Sequence, residues 1–190
     1  MMMMMMNTAM CVTASAAVKS NVPTLTHVMA SSEQSGYGVC GVTSLGDDVF
    51  VVRFMSQQKI EVYDAKTFKL QRHIRVPGLG KWQSGIAACA RNKCVYISDH
   101  DNEKVHRIKP ARRLKAVKNW SVASGPQGLS VNSAHNLVVA CSEANMIQEY
   151  KKGGCLVREI WVGLTRPWHA VQLSTGDYVV SQFWSSGMLF

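Results

Sequence analysis

Cys89, Cys94, His100 and His106 fall close together in the chain, and thiols with imidazoles at such density are the raw material of a zinc site. Their spacing argues against one. If Cys94 opens a strand and His100 lies past its end, the two stand roughly 20 Å apart at the rise of an extended chain. Cys89 and Cys94 face each other across a tight turn and would make half a metal site or a disulfide at most; two packed thiols are the simpler reading. Ser98-Asp99-His100 spells a nucleophile, an acid and a base. Neighbours on a strand point to opposite faces, however, so the three cannot converge. Gly128-Leu129-Ser130-Val131-Asn132 lacks the second glycine of a nucleophile elbow, and no glycine-rich phosphate loop occurs. The expectation is a chain that is not an enzyme, with no metal and no cofactor.

Binding chemistry is better represented. Lys104, Arg107, Lys109, Arg112, Arg113, Lys115 and Lys118 crowd one stretch in which Glu103 is the adjacent acid. Lys109, Arg112, Arg113, Lys115 and Lys118 form a candidate basic loop, either a solvated loop or a contact for phosphate or acidic peptide. A second set places tryptophan beside bases: Lys81-Trp82 and Arg166-Pro167-Trp168-His169, with Arg53, Lys59 and His100, and Phe183-Trp184 near the end. Such pairs suit protein hot spots and base stacking alike, although Trp82 and Trp168 would also serve as packing between repeats. The formal net charge of +9 suits an anionic partner without naming one.

The elements that must position these residues come from a repeat. Gly41, Gly85, Gly128 and His169 open four similar units at steps of 44, 43 and 41 residues. Each opens with a small apolar strand and a turn. A continuously apolar strand follows: VFVV, CVYI, LVVA and YVV. A third strand alternates better, as in Ile60 and Val62 around Glu61, and a more polar fourth closes the unit. Strands without alternation need cover on both faces, and stacked four-stranded sheets supply it. The period and pattern predict an all-β chain, a β-propeller segment of about three and a half four-stranded blades. The units run over about 39–82, 83–125, 126–166 and a partial 167–190. In a propeller, only Asp99 and Glu143 fall near the channel where catalytic carboxylates gather.

The second unit resembles an NHL repeat. Tyr96-Ile97-Ser98-Asp99 ends a strand in aspartate, Asn102 follows in a polar turn, and Val105 to Ile108 form the amphipathic return strand. The lead-in Pro126-Gln127-Gly128-Leu129 fits the same pattern, and Pro167-Trp168-His169-Ala170 is an altered copy. Unit one departs from it, with Arg53 and Phe54 where the family favours a small residue and Asp. The resemblance spans about residues 39–190 and implies a propeller that binds protein or RNA. The function expected is therefore a non-catalytic scaffold for protein–protein interaction. The alternative is single-stranded RNA binding through the rim of Arg53, Lys59, Lys81, Trp82, His100, Arg166, Trp168 and His169. A metal-dependent hydrolase or lyase is the distant third.

Residues 1–38, rich in Met, Ser, Thr and Ala, read as a disordered tail; they lack the basic start of a signal peptide. Six cysteines at unmatched repeat positions read as free thiols, which favours a reducing, cytoplasmic compartment. No run approaches the ~20 apolar residues of a membrane span. Three and a half blades leave the ring open, so a fragment is expected, with self-association through its unclosed edges.

Overall fold

Each forty-residue unit folds as an antiparallel meander, because its apolar runs are strand-length and the turns between them are short. The computed structural model describes residues 9–13, 24–29, 38–54, 58–110, 117–163 and 165–183. Strands β1 (Ala9–Thr13) and β2 (Thr24–Met29) pair with each other within the stretch read as a tail, where no element was expected.

The first blade is β3 (Val39–Leu45), β4 (Asp48–Arg53), β5 (Lys59–Asp64) and β6 (Leu70–Arg75), hydrogen-bonded in chain order. The second is β7 (Gln83–Cys89), β8 (Cys94–Asp99), β9 (Lys104–Ile108) and β10 (Val117–Ser121). The third is β11 (Pro126–Val131), β12 (Leu137–Cys141), β13 (Met146–Tyr150) and β14 (Leu156–Trp161). A fourth begins as β15 (Pro167–Gln172) paired with β16 (Tyr178–Gln182). The described residues contain no helix, and the arc of blades is not closed into a ring. No helix is long and apolar enough to cross a membrane among them.

Blades stack face to face, so their middle strands lose solvent on both sides. Phe50, Val51 and Val52 of β4 are buried, as is every residue of β8 and β12. The fourth, β16, breaks the pattern: Val179 is 58% exposed, because no further blade covers it among the described residues. The third strands also differ from the alternation read in the sequence. Glu61, His106 and Gln148 sit at matching places and all are buried. Such groups need partners, and each finds one at the end of the strand before it. Arg53 Nε donates to Glu61 Oε1 at 2.8 Å, His106 Nε2 pairs with Asp99 Oδ2 at 2.9 Å, and Cys141 Sγ contacts Gln148 Oε1 at 3.7 Å. One position in three blades therefore carries three chemistries, and the carboxylate changes strand between the first blade and the second. The cysteines among the described residues are all free, and Cys89 lies directly opposite Cys94 as two packed thiols. Burial pushes the Cys141 thiol up to about 12 and the Cys40 thiol up to about 11, which keeps both protonated at neutral pH.

The innermost strands touch in sequence, β3 to β7, β7 to β11 and β11 to β15. This contact explains the glycine that opens the units. A Cβ on Gly85 would press on the Gln127 carbonyl oxygen and lie 3.0 Å from the Leu129 nitrogen; on Gly128 it would meet the Trp168 carbonyl oxygen at 2.6 Å. Backbone cannot step aside as a flexible side chain can. Gly85→Ala is expected to cost about 1–3 kcal/mol through overpacking, read as a shift in the denaturant midpoint. Gly153→Ala, which meets nothing within 4 Å, should stay within about 0.5 kcal/mol of the parent. Equal losses at the two sites would refute this account of the repeat.

Candidate functional site

One end of the arc gathers the starts of the inner strands, the corners between second and third strands, and the blade-to-blade loops. A repeated backbone bond locks it: Phe54 N–H to Gly38 O, His100 N–H to Trp82 O, Ser142 N–H to Gly125 O and Phe183 N–H to Arg166 O. The corner Asp99-His100-Asp101-Asn102 adds a clamp. Asp99 Oδ2 accepts from the Gly80 amide at 3.0 Å, and Asp101 Oδ2 from the amides of Lys81 at 2.7 Å and Trp82 at 3.1 Å. Asn102 Nδ2 returns a bond to Asp99 Oδ2 at 2.9 Å. Burial alone would raise the Asp99 pKa, but the bonds from His106, Asn102 and the Gly80 amide outweigh it and hold the carboxyl below its ordinary range. The motif that carried the family resemblance thus does structural work: it fixes the loop that presents Trp82. In the third blade Asn145 Oδ1 does the same for Arg166, accepting from its amide at 2.8 Å.

Between these loops lies a cleft of about 260 Å³ lined by Trp82, His100, Gln127, Ser142, Glu143, Arg166, Trp168 and Phe183. One wall is a run of rings, with Phe54 5.4 Å from Trp82 and Trp82 5.9 Å from His100. The other is Trp168 stacked on Phe183 at 5.0 Å. Trp82 is 46% exposed and Trp168 39%, so neither ring is consumed by packing between blades. His100 Nε2 stands 3.6 Å from Glu143 Oε1, and Glu143 Oε2 accepts from Ser124 at 2.6 Å. Of the other lining residues, Ser142 donates its hydroxyl to the Gly125 carbonyl, whereas the buried Gln127 Oε1 has no hydrogen-bond partner among the described residues.

Of the rim read from the sequence, Trp82, His100, Arg166 and Trp168 come together in this cleft. Lys59 and Lys81 are exposed at the same end without lining it. His169 turns inward towards the Gly128 backbone, and burial lowers its pKa. Arg53 does not belong to the rim. Its side chain lies inside the blade on Glu61, because a buried carboxylate there requires a counter-charge. Lys109 and Lys118 are exposed, Lys109 at the opposite end; Arg112, Arg113 and Lys115 lie outside the described residues. Gln127 and Ser142 were not read as site residues, since neither carries charge or an aromatic ring. Trp161, 74% exposed at the end of β14, stands outside the cleft.

Comparison with known proteins settles the architecture. The fold is a β-propeller segment. Hydrazine synthase of Kuenenia stuttgartiensis superposes with a TM-score of 0.67 at 18% identity, over 85% of this chain and 47% of its own. A catalytically inactive virginiamycin B lyase from Staphylococcus aureus with quinupristin gives 0.64 at 15% identity, over 82% and 59%. The WD40 propeller domain of Doa1 gives 0.63 at 12% identity, over 83% and 51%. The chain therefore spans about half the length of these structures. No family model matches it, and no curated protein matches it in sequence. Likeness at this identity shows the fold alone. It nevertheless corrects the expectation that the chain is not an enzyme, because this fold is shared with a lyase and a synthase and gives no ground for excluding catalysis.

Proposed function

We propose that the chain is an NHL-type propeller segment that binds a protein partner through the cleft between Trp82 and Trp168. The observation that carries the reading is Gln127 Oε1, a buried acceptor with no hydrogen-bond partner among the described residues, on a residue that lines a cleft walled by aromatic rings. A buried carbonyl left unpaired costs about 1–3 kcal/mol, which a donor brought by a ligand restores. An extended peptide supplies such a donor in its backbone amide, and its side chains fill the space between the rings. Glu143 and Arg166 place opposite charges on the lining and would orient the segment. The Asp99–Asn102 clamp supports the NHL assignment, because it gives the motif a physical task in the second blade.

Selection of a displayed peptide library on the full chain tests this. Trp82→Ala and Trp168→Ala should each weaken the selected peptides by about thirtyfold, as expected for aromatic anchors. Lys109→Ala at the opposite end should leave them unchanged. Peptides indifferent to both tryptophans would overturn the reading. Tighter binding of a single-stranded oligonucleotide, falling steeply with salt and lost on the same substitutions, would replace it with RNA recognition.

A further inference from the structure

The opposite end of the arc carries a second concavity with different chemistry. Arg91 and Asn92 from the β7–β8 turn, His135 and Asn136 from the β11–β12 turn, and Lys151 and Lys152 after β13 line a cleft of about 260 Å³. It bridges the second and third blades. Asn92 Nδ2 donates to the His135 carbonyl at 3.4 Å, and the Arg107 guanidinium donates to the Lys152 carbonyl, so both turns and the lysine-bearing loop are tied together. The lining contains no carboxylate. The nearest acid by bonding is Glu149, reached through Asn136, and it is already held by Arg158 Nε at 2.6 Å. Arg91, Lys151 and Lys152 make no ion pair among the described residues.

Three cations with no counter-charge among the described residues repel one another in one concavity and focus positive potential into it. An anion placed there relieves that repulsion. The planar fork of arginine matches two phosphate oxygens, and the lysines add mobile point charges. Three full positive charges and His135 around one cavity fit two linked phosphates better than one. We propose that this cleft binds a diphosphate group, free or as part of a nucleotide. The residues differ from those of the aromatic cleft and lie at the other end of the arc, so the site stands or falls independently of the proposed function.

Calorimetric titration of the full chain with inorganic pyrophosphate at moderate salt is the test. One saturable site is expected, and Arg91→Ala and Lys152→Ala should each weaken it about tenfold or more, the usual loss of a charge-assisted contact. Lys66→Ala and Lys69→Ala are the controls: both residues are exposed at the same end but on the first blade, and should have no effect. ADP binding as pyrophosphate does points to the free diphosphate as the source, and ADP binding more tightly points to a nucleotide. Binding no stronger than sulfate at matched ionic strength, or equal losses from Lys69→Ala and Arg91→Ala, would overturn the proposal.

Discussion

Arg53→Cys alone is expected to destabilise the chain by about 3–5 kcal/mol, and adding Glu61→Gln should return most of that loss. Arg53 and Glu61 are both buried and bonded at 2.8 Å, so removing the guanidinium strands a carboxylate away from water. Tyr63 would still donate to Glu61 Oε2 at 2.7 Å, which is too little to balance a full charge. The third blade shows the neutral solution to the same problem. Cys141 and Gln148 occupy the equivalent places, and Tyr150 donates to Gln148 Oε1 at 2.7 Å as Tyr63 does to Glu61. The double substitution copies that arrangement into the first blade, and exchanging a whole buried pair is commonly near neutral. Chemical denaturation of the two single variants and the double should show strong coupling. Losses that simply add would mean that the pair does not act as a unit.

Glu149→Ala should cost about 2–4 kcal/mol, from hydrogen bonds lost at one buried donor, Asn132, and at half-buried ones. Its carboxylate accepts from Asn132 and Asn136 at 2.8 Å each, from Arg158 at 2.6 Å and from Tyr178 at 3.1 Å. Tyr178 belongs to β16, so the network joins the third blade to the fourth. Arg158 is about half exposed and can return to water, which leaves Asn132, Asn136 and Tyr178 to carry the penalty. The same carboxylate shapes the response to acid. Burial would raise its pKa, but the bonds from Asn136, Arg158, Asn132 and Tyr178 outweigh burial and lower it. Below the ordinary carboxylate value of about 4.3 the unfolded chain then binds more protons than the folded one. Stability contributed by Glu149 is therefore complete above that pH and lost as pH falls through the folded value. Glu149→Gln should flatten the acid limb of the stability profile, and an unchanged acid limb would count against the network.

The repeat makes the architecture legible in the sequence itself. Period, turn positions and continuously apolar second strands are local properties of the chain, and they specify stacked sheets because such strands survive only when covered on both faces. The glycines that open three of the units were visible too, though their reason was not: it lies in the approach of the next blade's backbone, as at Gly85 and Gln127. Exposed polar fourth strands followed from composition alone.

Tertiary structure decided the polar residues. Glu61, His106 and Gln148 look like the solvent side of alternating strands, and stacking turns that side inward, so each becomes half of a buried pair. Arg53 reads as a rim cation for the same reason and is its opposite, a counter-charge locked in the core. The aromatic cleft was half legible: tryptophans beside bases advertise a surface, but Gln127 acquires meaning only where the fold buries its carbonyl oxygen with no donor among the described residues. The grouping of Arg91, Lys151 and Lys152 was not legible at all, since turns some sixty residues apart meet only when two blades stack. Sequence sets the period and the apolar faces because those depend on neighbours along the chain; which charges are paired, and which remain open to a ligand, depends on neighbours across blades.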